Sequence, residues 1–144
     1  MIRAARLACV AAALAGLHAG QVVAQVPRTA SAEGARVYII EPRNGATVKQ
    51  EFTVKFGLSG MGVAPAGTDV ENTGHHHLLI DADPPAMDQP IPADARHVHF
   101  GKGQTETKVK LAPGKHTLQL LLGDKNHIPH DKPVVSEKIR ITVK

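Results

Sequence analysis

Thiols are all but missing from this sequence: its 144 residues include one cysteine, Cys9, inside an N-terminal apolar segment. Downstream of that segment no disulfide can form and no thiolate can hold a metal, so stability has to come from a packed core. Also missing is any apolar run of the roughly 20 residues that cross a bilayer. The longest, Leu7–Leu17, is well short of that. Charge of one sign is nowhere blocked; lysines and acids are interspersed, which excludes a nucleic-acid-binding stripe. Beyond Arg36 no stretch carries a 3.6-residue apolar period, and no internal repeat is found. A nucleophile elbow, a phosphate loop and a His-Glu-x-x-His motif are all lacking, so the chain is not expected to be an enzyme.

What is present begins with a processing signal. Met1–Arg6 is basic, Leu7–Leu17 is apolar, and Val22-Val23-Ala24 offers small residues where a signal peptidase reads. This order marks a secretory signal over residues 1–24, cleaved after Ala24, with Ala19 as a second possible site. Cys9 sits too early in the apolar run to be a lipidation site. Loss of Arg3 and Arg6 lowers the net charge from +4 to about +2. The expected location is the periplasm, with no membrane span in the mature form. Residues 25–35 are small and polar and read as a linker. One domain is expected over 36–144.

That domain reads as β throughout. Short runs rich in β-branched and aromatic residues occupy Val37–Ile40, Phe52–Leu58, His76–Ala82, His97–Phe100, Thr105–Leu111, His116–Leu122 and Lys138–Val143. Alternation is clean in several. Phe52, Val54, Phe56 and Leu58 share one face, and Ile139, Ile141 and Val143 share another. About seven short strands in this length predict an all-β, immunoglobulin-like antiparallel β-sandwich. Pro113-Gly114 predicts a turn making Thr105–Leu111 and His116–Leu122 a hairpin. Two long connections, Gly60–Gly74 and Asp83–Arg96, interrupt the pattern and are expected to be functional or mobile.

Histidine is the outstanding abundance. Of nine in the chain, eight lie from His75 onward, as His75-His76-His77, His97-Val98-His99, His116, and His127-Ile128-Pro129-His130. Imidazole is borderline in softness and neutral near physiological pH, which suits zinc and copper. Strand parity turns Val98 and Phe100 inward and puts His97 and His99 together on the outer face. The same parity puts His76 inside with Leu78 and Ile80, and His75 and His77 outside. If these two strands are neighbours, four imidazoles meet on one outer patch. The ligand candidates are therefore His75, His77, His97, His99, His127 and His130. His76 and His116, with the carboxylates of Asp81 and Asp124, are supporting candidates that could orient ligand rings. Met61 and Met87 sit one in each long connection; exposed thioethers favour Cu(I), but two methionines far apart in sequence are weak evidence for such a site. With imidazole as the main donor and no thiolate, copper or zinc is the expected ion.

The stretches NTGHHHLLID (Asn72–Asp81), HVHFGKGQTE (His97–Glu106), PGKHTLQLLLGD (Pro113–Asp124) and NHIPH (Asn126–His130) resemble the signature of the bacterial exported domain of unknown function 4399. The resemblance runs from about Val37 to the C-terminus. It implies a small periplasmic β domain whose histidines belong to the family pattern, and it implies no particular activity. HVHFG also looks like the metal strand of copper/zinc superoxide dismutase. Only His97 and His99 map, and the zinc loop and disulfide of that family have no counterpart. The resulting expectation is a non-catalytic periplasmic copper or zinc chaperone or buffer, whose binding is lost when His97 and His99 become alanine. The alternative is a metal-free envelope interaction module that engages a protein partner. A metal-dependent hydrolase or oxidase using these histidines and Asp81 is a third reading.

Overall fold

A computed structural model describes residues 26–144; the expected signal, with Cys9 and both cleavage sites, lies outside them. Nine strands and no helix are found among the described residues. They are β1 (Arg36–Glu41), β2 (Thr47–Val48), β3 (Glu51–Ser59), β4 (Gly62–Val63), β5 (Thr73–Ile80), β6 (His97–His99), β7 (Glu106–Lys110), β8 (Gly114–Gly123) and β9 (Ile139–Val143). Each of the seven expected runs forms a strand. The two additions, β2 and β4, are two-residue pairings too short to leave a periodic signal.

The strands make two sheets. One is three-stranded in the order β1-β3-β7; the other runs β2-β9-β8-β5-β4, with β6 also paired to β5. Inward-facing residues of both fill one core: Val37, Val54, Phe56 and Val109 from the first, Leu78, Leu118, Leu120, Leu122 and Ile141 from the second. The domain is an all-β sandwich.

The expected hairpin at Pro113-Gly114 does not form. β7 pairs with β3 in the small sheet, whereas β8 pairs with β5 and β9 in the large one. The turn reverses the chain but carries it across the sandwich. The cause is the run Leu118–Leu122, buried on both faces. Burying each such leucine is worth about 1.5–3 kcal/mol, so the strand seeks the centre of a covered sheet. Its two edges are then taken, and β7 has to pair elsewhere.

The outer face of the large sheet is covered as well. Leu79 and Leu121 pack there with Ala82 and Ile91, and Met87 lies against them. The proline-rich connection after β5 is thus a second layer over the sheet. Residues 28–31, expected to be linker, are likewise tied down. Arg28 donates to the carbonyls of Pro129 and His130, and Ser31 Oγ to that of Lys132 (2.8 Å).

Candidate metal centre

β5 carries the triple histidine with neither face free. The His76 side chain enters the sandwich core, its ring 5.2 Å from that of Phe56, which in turn packs on Phe100. His75 and His77 point the other way, as parity requires, but they are not on an open surface. Both are 1% exposed, beneath the second layer.

β6 lies beside β5 with His77 opposite His99 and Leu79 opposite His97. That register brings three imidazoles together. One nitrogen from each of His75, His77 and His99 lies within 4.8 Å of the others. Ring centroids are 4.8 Å apart for His75–His77, 4.9 Å for His75–His99 and 5.0 Å for His77–His99. Imidazoles sharing one ion through bonds of ~2.0–2.1 Å at tetrahedral angles have centroids roughly 5 Å apart, so no large rearrangement is needed. The turn after β8 adds His127, with its ring 4.7 Å from His99, 5.1 Å from His75 and 6.4 Å from His77. His127 borders the trio and is the natural fourth donor.

The other sequence candidates lie elsewhere. His97, expected beside His99, is one ladder step too far along β6, and its Nδ1–H donates to the Asp94 carboxylate at 3.0 Å. His130 is fully buried, with Nε2–H donating to the Thr73 carbonyl at 3.2 Å. His116 donates from Nδ1 to Asp81 (2.6 Å) and from Nε2 to the Ala112 carbonyl (2.9 Å), an ion pair outside the trio. The Asp81 carboxylate therefore serves His116 and the Thr117 amide (2.7 Å) rather than a ligand ring. Asp124 acts on the turn: its Oδ1 accepts from the amides of Asn126 (2.8 Å) and Ile128 (3.0 Å).

Glycines make room for the rings. A Cβ on Gly123 would lie 2.7 Å from Cε1 of His77, and a Cβ on Gly101 would overlap the His99 ring. Sequence reasoning passed over both. The signal was available as glycine two residues after His99, and glycine immediately before Asp124.

The donors fit a metal ion in their chemistry. Both nitrogens of His75, both of His77 and Nε2 of His99 are buried without any hydrogen-bond partner in the chain. Leaving a buried polar group unpaired costs about 1–3 kcal/mol, so a cluster of five is destabilising unless something bonds to it. Burial pushes His75 down to about 4; nearby His99 and His127 add to this, and Asp124 opposes it. Burial pushes His77 further, to about 2, again helped by its histidine neighbours. His99 is lowered by burial and by His127. The rings are therefore neutral at physiological pH, the form in which imidazole ligates. His76 is lowered to about 4 by burial, weakly opposed by the Gln104 backbone, but it faces away from the trio.

No curated protein matches the chain. Solved structures that resemble it include the endo-β-1,4-mannanase of Thermotoga petrophila (16% identity, TM-score 0.46), covering 76% of this chain. The chain spans only 20% of that enzyme. Fibronectin(III)-like modules of Clostridium thermocellum CbhA give 13% identity and TM-score 0.42, covering 75% of this chain and 95% of the module. The PKD domain of human KIAA0319 gives 16% and 0.42, covering 87% and 92%. Residues 54–144, which hold β5, β6, β8 and every histidine of the trio and its border, match the family described as Domain of unknown function (DUF4399), and the chain belongs to that family.

Proposed function

We propose that this protein binds a single copper or zinc ion in the periplasm through His75, His77 and His99, with His127 as fourth donor, and acts as a carrier or buffer rather than an enzyme. The observation that carries the reading is the set of five buried imidazole nitrogens with no partner, on three rings spaced as ligands of one ion. A bound ion would offset that cost. The donor set is all nitrogen, which favours Zn(II) and Cu(II) over ions that prefer oxygen or thiolate. Bound there, the ion would contribute charge and Lewis acidity. The glycine cradles and the covering layer hold the rings and limit access to the site. The periplasmic location rests on the signal-like N-terminus.

The experiment is metal analysis and titration of the tag-free mature chain, since a histidine tag would add competing imidazoles. One equivalent of Zn(II) or Cu(II) is expected, lost in His77→Ala and in His99→Ala. Failure to bind either ion sinks the proposal. A protein partner that stays bound in chelator would instead favour the interaction-module reading.

A further inference from the structure

The fourth donor stands on an improbable piece of backbone. His127 has φ of 65°, a left-handed conformation uncommon for residues with a Cβ, although His, Asn and Asp enter it more readily than most. Its turn is closed by the Asp124 amide donating to the Ile128 carbonyl (2.8 Å) and the His127 amide donating to the Asp124 carbonyl (2.9 Å). The Asp124 side chain then takes the Asn126 and Ile128 amides on Oδ1, leaving Oδ2 to be held from outside. What holds it is Thr29, ninety-five positions away in sequence, whose hydroxyl donates at 2.6 Å.

Thr29 belongs to a short extended segment fastened along the whole turn. The Arg28 guanidinium donates to the Pro129 carbonyl (3.2 Å) and to that of His130. The Asp131 amide donates to the Thr29 carbonyl (3.0 Å), and the Ser31 amide to Asp131 Oδ1 (3.2 Å). From the other side, the Ile91 amide of the covering layer donates to the His127 carbonyl (2.8 Å). Burial of Asp124 makes the Thr29 bond count, because a buried carboxylate oxygen cannot turn to water instead.

We propose that residues 28–31 form a strap that fixes His127 against the His75–His99 rings, with Thr29 and Asp124 as positioning residues, so that the strap sets how slowly the ion leaves. The proposal rests on the metal reading above. A ligand held in place re-binds before the remaining three let go; a ligand on a loosened turn does not.

The test is zinc release from the loaded mature chain into excess chelator. Thr29→Val keeps the shape and removes the donor. Release is expected to quicken roughly tenfold, the lower end of what supporting residues usually cost. In a His127→Ala background the same change is expected to have no further effect, since the strap acts through that ring. In the metal-free protein, hydrogen exchange at the Ile128 amide is expected to speed up in Thr29→Val. Unchanged release in Thr29→Val overturns the strap, and so does equal acceleration with and without His127. If the wild-type chain binds neither Zn(II) nor Cu(II), the metal reading fails by itself. The Ile128 amide then decides the strap's hold on the turn, and unchanged protection overturns that too.

Discussion

His77 and Gly123 are fitted to each other across neighbouring strands: a Cβ on Gly123 would stand 2.7 Å from the His77 ring and 3.3 Å from Ile91. Gly123 has no unusual φ, so the constraint is room for the ring. Gly123→Ala is therefore expected to push His77 out of the trio. Metal affinity should fall roughly 10- to 100-fold, the range seen when supporting contacts of a site are lost. A mild loss of thermal stability from overpacking should accompany it. Isothermal titration against Zn(II) checks this.

The structure separates two histidines that sequence alone put together. His99→Ala is expected to abolish binding, whereas His97→Ala should change affinity by no more than a few-fold, because that ring is engaged with Asp94. His77→Leu makes a sharper test. It removes two unpartnered buried nitrogens and leaves an apolar side chain of similar size. Metal binding should vanish while the metal-free protein becomes more stable, by about 1–3 kcal/mol. Denaturant unfolding in chelator measures the second half.

How much of this was readable in advance divides along one physical line. Local alternation told which way each histidine points: His76 toward Leu78 and the core, His75 and His77 away from it. Side-chain parity is fixed by the backbone and needs no partner. What covers a face, and which strand lies beside which, depends on contacts distant in sequence. Nothing near His75 announces that Ile91 and the turn at His127 will close over it. Pro113-Gly114 encodes a reversal and is silent on whether the two strands share a sheet; the doubly buried Leu118–Leu122 decided that. The strap was invisible for the same reason, since Thr29 and Asp124 meet only after folding.

Acid should unfold the metal-free protein early. His75 and His76 are held near 4 and His77 near 2 in the folded chain, against about 6.5 when unfolded. The unfolded state thus takes up protons first as pH falls, and stability present above 6.5 is lost progressively below it. At pH 5.5 each ring costs on the order of 1 kcal/mol, so the three together remove a few kcal/mol. Between pH 7 and 5 the ligating rings are already neutral in the folded chain, so a bound ion adds a nearly constant stabilisation and leaves the slope of the loss in place. Thermal melts between pH 7 and 5, with and without Zn(II), are expected to decline in parallel, the loaded protein staying above the metal-free one.

His116 should show the opposite sign. Both its nitrogens face acceptors, the Asp81 carboxylate at 2.6 Å and the Ala112 carbonyl at 2.9 Å, so both must carry protons. The bond to Asp81 raises the ring above its ordinary value; burial opposes this and the Ala112 contact adds to it. Asp81, in turn, is lowered: burial resists, but the bonds from His116 and Thr117 prevail. The clamp joins the end of β5 to the start of β8, and its whole contribution is present below pH 6.5. As pH climbs through the raised value in the folded chain, Nδ1 or Nε2 loses its proton, one bond goes, and the contribution fades. The pair is partly open to solvent, so it is worth about 1 kcal/mol or less. His116→Gln is expected to remove this alkaline decline while leaving the acid loss from His75, His76 and His77 in place. Nuclear magnetic resonance titration of the His116 ring protons checks it directly: a midpoint at or below 6.5 would show that the second proton is not held and that the clamp contributes nothing.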